Sequence, residues 1–90
     1  MITHEDCHDL FQASQQAWDK LVATKTTRLY QLEVLYSTLK GGGNTESALN
    51  ALNVVNDLEA EQSKQYSTLV QTHADAVTFL NRHIQPGSKL

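Results

Sequence analysis

Gly41-Gly42-Gly43-Asn44 is the stretch whose reading decides the fold. It holds three of the four glycines, and the single proline, Pro86, lies close to the C-terminus. Residues 2–40 and 45–85 contain neither glycine nor proline. A glycine cluster between two breaker-free arms reads as the bend of an αα-hairpin. The glycines take left-handed conformations that end one helix, and Asn44 or Thr45 caps the next. The expected fold is all-α, a long antiparallel hairpin with helices over about 4–40 and 45–85. Residues 1–90 then form one domain, with Pro86-Gly87 ending the second helix and 86–90 a flexible tail.

Working outward, the first arm repeats apolar residues at Phe11, Trp18, Val22, Leu29, Leu32, Tyr36 and Leu39. Leu10, Leu21 and Leu35 widen the stripe, and steps of three, four and seven put all of these on one helical face. Thr24-Lys25-Thr26-Thr27 is the weak point, because β-branched residues lower helix propensity and Lys25 and Arg28 interrupt the stripe. A continuous helix is expected there, since nothing breaks it. In the second arm the stripe runs through Ala48, Leu49, Leu52, Val55 and Leu58, thins around Glu59, Glu61, Gln62 and Lys64, and resumes at Tyr66. Leu69, Val70, His73, Ala76, Val77, Leu80 and Ile84 continue it.

Folding the chain about its turn pairs residues whose numbers sum to roughly 85. Phe11 then meets the neighbourhood of His73, Leu10 that of Ala76 and Val77, and Leu32 that of Leu52. Lys25 and Arg28 fall opposite Asp57, Glu59 and Glu61, as a solvated belt or as a polar layer that sets register. Arms this long reach roughly 55–60 Å, whereas a compact domain of this length has a radius of gyration of about 12 Å. Two helices shield only part of each other's stripe. Phe11, Trp18, Leu21, Leu32, Leu35 and Tyr36 on one arm, with Leu52, Tyr66 and Leu69 on the other, are therefore the expected surface for a partner. The hairpin is expected to complete a four-helix bundle or coiled coil, by forming a homodimer or by receiving a helix from another protein.

Composition narrows the remaining classes. A net charge of −3 with seven scattered Lys and Arg argues against nucleic acid. No apolar run approaches a membrane span, and the acidic start is unlike a signal peptide. A lone cysteine, Cys7, suits a reducing compartment, so a cytoplasmic location is expected. Ser88-Lys89-Leu90 matches a peroxisomal address, which makes the peroxisomal matrix the alternative in a eukaryote.

His4-Glu5-Asp6-Cys7-His8 spells H-E-x-x-H, the motif of zinc proteases, at what reads as a frayed N-terminus. Asp6 and Asp9 flank its ligands, and the chain lacks the sheet and cleft that would position a peptide, so no enzyme is expected. Antiparallel arms return His83 to the end that holds His4 and His8. A zinc or nickel site on these three histidines is the alternative function, with no other cofactor expected. The glycine cluster follows a helix and is not followed by Lys-Ser or Lys-Thr, so it is no phosphate loop.

In outline the chain resembles several groups of small helical-hairpin proteins. Secreted hairpins of the WXG type carry Trp-x-Gly at the turn, where this chain has Gly41-Gly42-Gly43 and keeps Trp18 in mid-arm. Type III secretion needle subunits carry a proline in the turn that is absent here. The small hairpin chaperones of such secretion systems, and hairpin dimers like the plasmid-copy RNA-binding protein, share the shape. The resemblance to the chaperones implies a chaperone, adaptor or assembly subunit. The RNA-binding version wants a basic face that this sequence does not have.

Overall fold

The computed structural model describes residues 2–88, with side chains described through residue 82. Two helices make up nearly all of it: α1, His4–Gly41, and α2, Thr45–Ser88. They pack side by side as an antiparallel hairpin with no strand among the described residues. The particle is a rod of 73 × 15 × 14 Å with a radius of gyration of 20.4 Å, well above the ~12 Å of a compact chain this long.

Capping explains where the helices start and stop. Thr3 caps α1: its hydroxyl accepts from the Asp6 amide at 3.1 Å, and its own amide donates to the Asp6 carboxylate at 2.9 Å. This reciprocal pair satisfies two otherwise orphaned donors, so the N-terminus that reads as frayed is closed. Glu5 and Asp6 in the first turn add charge of the favourable sign for the helix dipole. At the other end only Gly42, at φ 76°, takes the left-handed conformation among the described residues. The Gly42 and Gly43 amides both donate to the Thr38 carbonyl, at 3.0 and 3.1 Å. Asn44 then caps α2 by accepting from the Ser47 amide at 3.0 Å.

The Thr24–Thr27 segment is uninterrupted helix. Its hydroxyls fold back onto the preceding turn, Thr26 donating to the Val22 carbonyl and Thr27 to the Ala23 carbonyl, both at 3.1 Å. These bonds occupy the polar groups without opening the backbone ladder. At the far end α2 extends to Ser88, a few residues past the expected stop. The locked φ of Pro86 is itself helical, and its missing amide costs one bond in a final turn. Lys89 and Leu90, which complete the targeting-like tripeptide, lie outside the described residues.

The register agrees with the expected sum of roughly 85. Phe11 meets His73, Trp18 meets Tyr66, Lys25 meets Glu59 and Arg28 meets Asn56. The residues that α1 turns toward α2 repeat in heptads. One line is Cys7, Ser14, Leu21, Arg28 and Leu35; the other is Leu10, Ala17, Thr24, Gln31 and Thr38, and all ten are buried or half-buried. On α2 the matching lines are Leu52, Glu59, Tyr66, His73 and Leu80, with Ala48, Val55, Gln62, Leu69 and Ala76. Sustained seven-residue lines are the signature of a coiled coil. This seam is built largely from small and polar side chains. No side chain in it is more than 98% removed from solvent.

The turn offers a clean test. Gly41 has open space where a Cβ would sit and keeps a helical conformation. Gly41→Ala should stabilise by roughly 0.5–1 kcal/mol. At Gly42 the same change meets a positive φ, and it should cost about 1–2 kcal/mol. Thermal melts of the two variants should move in opposite directions.

Candidate interaction surface

The surface grows out of the seam's composition. Because Cys7, Ser14, Ala17, Thr24 and Thr38 take seam positions, the largest apolar side chains of α1 lie one helical position outside it. Phe11 and Trp18 are 46% exposed, Leu29 59%, and Tyr36 and Leu39 about as exposed as Leu29. These are the backbone of the apolar stripe read from the sequence. The hairpin packs on the residues that merely widen that stripe, Leu10, Leu21 and Leu35, and leaves its main line facing outward.

That outward line is ordered. Phe11, Trp18, Lys25, Leu32 and Leu39 occupy one heptad position, and the first three each reach across to α2. Phe11 and His73 stack with ring centroids 5.8 Å apart and planes at 48°. Trp18 and Tyr66 do so at 5.2 Å and 46°. Lys25 Nζ lies 3.5 Å from Glu59 Oε2. The result is a ladder of equivalent contacts, two aromatic rungs followed by an ionic one, along one edge of the seam. Tilted ring pairs at these separations contribute about 0.5–1.5 kcal/mol beyond their area burial. The Lys25–Glu59 pair is too exposed to contribute more than about 1 kcal/mol, its side chains being 52% and 22% accessible.

Two concavities open on this edge. Phe11, Ser14, Gln15, Trp18, Asp19, Tyr66, Val70 and His73 line a groove of about 310 Å³. Farther toward the turn, a shallower one of about 580 Å³ is lined by Leu29, Leu32, Glu33, Tyr36 and Ser37. On the opposite edge Ala13, Gln16, Ala17, Lys20, Gln62, Gln65 and Leu69 line a smaller depression of about 140 Å³. Of the residues expected to meet a partner, Phe11, Trp18 and Tyr36 are exposed and Leu32, Leu35, Tyr66 and Leu69 half-buried. Leu21 and Leu52 are spent inside the hairpin, at 3% and 7% exposure.

The polar middle of the seam is satisfied. Thr24 is buried and donates its hydroxyl to the Gln62 side-chain carbonyl, and Arg28 Nε donates to Asn56 Oδ1 at 2.8 Å. Ser14, also buried, donates to the Phe11 carbonyl at 2.7 Å. Among the described residues no buried side-chain nitrogen or oxygen lacks a partner. Arg28 therefore pairs with Asn56, not with the acidic residues expected opposite it. The sequence reading missed this Thr24–Gln62 layer; the only signal for it was that both residues fall in the heptad lines.

His4 and His8 are exposed, while His73 is held against Phe11, and the His83 side chain lies outside the described residues. Cys7, between the first two histidines in sequence, turns the other way and is buried with Ala76 and Leu80. No group of three or more His, Cys, Asp or Glu able to hold a metal occurs among the described residues. Neither described helix is long and apolar enough to cross a membrane. No protein-family model, curated protein or solved structure matches the chain.

The seam and the outward edge should separate by mutation. Leu21→Ala should cost about 2–4 kcal/mol, because it opens a cavity between the helices. Leu29→Ala, at a position 59% exposed, should cost the hairpin itself under about 1 kcal/mol. Chemical denaturation of the two variants under monomeric conditions checks the difference.

Proposed function

We propose that the chain is a non-enzymatic protein–protein interaction module, a helical hairpin that self-associates or covers a partner's amphipathic helix. Such a module serves as a small chaperone, adaptor or assembly subunit, and the cytoplasm is the proposed compartment. The observation that carries this reading is the apolar edge of α1, exposed from Phe11 to Leu39. At 1.5 Å per residue it runs for roughly 42 Å, the length of a long helix–helix contact. Scattered exposed hydrophobics are ordinary on protein surfaces, but a line of them beside two grooves, interrupted at Lys25, supports an interaction site. The reading names no nucleic-acid partner, since the chain carries ten acidic and seven basic residues, the basic ones scattered along it.

Folding and association should be coupled, because several half-exposed large side chains forfeit roughly 0.7–1.5 kcal/mol each when left in water. At micromolar concentration the protein should sediment above monomer mass, or be weakly stable until a partner is added. Leu32→Asp should lower association and helicity together. A stable, fully helical monomer, alone in solution, would overturn the reading.

A further inference from the structure

We propose that the groove between the two aromatic rungs is a binding site for a free, choline-type molecule, held by its trimethylammonium head. The site needs only the hairpin itself and goes beyond the interaction-module reading.

The spacing of the rungs suits such a head. Phe11 with His73 bounds one end of the groove, and Trp18 with Tyr66 bounds the other. Each ring lies seven residues from its counterpart in the second rung, so the rungs stand roughly 10 Å apart along the helices. A cation midway between them is about 5 Å from either rung along that axis, within the ~6 Å reach of a cation–π contact. The groove's volume of about 310 Å³ lies at the lower end of the ~300–1,000 Å³ typical of small-molecule sites. Rungs at both ends favour a compact molecule over a segment laid along the helices.

The lining favours methyl groups over N–H donors. Ser14, the buried polar residue of the groove, already donates its hydroxyl to the Phe11 carbonyl at 2.7 Å. Rings and Val70 make up most of the rest. A primary ammonium brings three donors, and leaving them short of acceptors is costly. A trimethylammonium head has no donor to satisfy, and its methyl groups gain by leaving water.

Charge points to a cation. Asp19 is the only acidic side chain in the lining, and no lysine or arginine joins it. Among the described residues Asp19 makes no hydrogen bond or ion pair, so its charge is free to meet a ligand. The rings are free in the same sense. Lys40 Nζ sits 4.9 Å from the centre of the Tyr36 ring, whereas no lysine or arginine lies over Phe11, Trp18 or Tyr66 among the described residues. The other concavities lack this combination. The one beside Leu29 has Tyr36 as its single ring, already under Lys40, and the depression on the opposite edge has Lys20 and no ring.

The test titrates the whole chain with choline chloride at about pH 8 and constant ionic strength. Emission from Trp18, the only tryptophan, should change saturably with a Kd of roughly millimolar or tighter. The uncharged isostere of choline, with carbon in place of nitrogen, should bind at least about tenfold more weakly. Asp19→Asn, at an exposed position without partners, should weaken choline about three- to tenfold, leaving the isostere and the circular dichroism unchanged. Phe11→Leu keeps apolar bulk and removes a ring, so it should narrow the preference for choline over the isostere. Equal binding of choline and the isostere, or a response that never saturates, would overturn the site. A trimethyllysine peptide that binds more than about tenfold tighter than choline would overturn the assignment to a free molecule. A stable, fully helical monomer that binds choline would overturn the module reading and leave this site standing.

Discussion

The structure depends on an antiparallel seam whose heptad lines carry too little apolar volume to hide the rest of the helix. Cys7, Ser14, Ala17, Thr24 and Thr38 fill positions that Leu, Ile or Val take in a self-sufficient coiled coil. Small side chains leave the bulky ones no room in the middle, so the rings settle on the edge. There they gain a partner across the seam, as Trp18 does with Tyr66, but remain about half in water. The edge is a direct consequence of the seam. Enlarging the seam residues would make a sturdier hairpin and would change the tilt at which the edge is offered.

Much of this was legible in the residues. The glycine cluster located the bend, the absence of breakers gave both helices, and the bend alone supplied a register that Phe11–His73, Trp18–Tyr66 and Lys25–Glu59 all obey. Helical periodicity could not say which sector of a broad stripe turns inward. Leu10, Leu21 and Leu35 lie next to Phe11, Trp18 and Leu32 on the helical wheel, and any reading weighted by hydrophobicity favours the larger set. The deciding residues were polar ones. Ser14 and Thr24 are buried because each hydroxyl finds an acceptor, Ser14 in its own helix and Thr24 across the seam. Such bonds depend on tertiary placement and leave little trace in the pattern. Cys7 is a similar case, since its histidine neighbours suggested a metal end while its helical phase sends it into the cluster with Ala76 and Leu80.

Energetics point the same way. A chain of this length sits near the lower limit for an independently stable core, and a rod buries less of its surface than a sphere. The few well-buried apolar residues, Leu21, Ala48, Leu52, Ala76 and Leu80, are spread along two long helices instead of gathered in one place. Caps at Thr3, Gly42 and Asn44 each add about 1 kcal/mol, and they hold the ends more than they bind the arms together. A hairpin built this way has little apolar burial in reserve.

The Lys25–Glu59 pair is where this dependence is sharpest. In the isolated hairpin it is a weak contact in a high-dielectric surrounding, and the adjacent Thr24–Gln62 and Arg28–Asn56 bonds already fix the local register. Covering the edge would take both charges out of water, a cost that an apolar pair of similar volume would avoid. An ionic rung in the middle of an otherwise apolar line is therefore a poor device for stability alone. It is a good one for alignment, because any partner sliding by one heptad would leave the lysine and glutamate facing leucine or a ring.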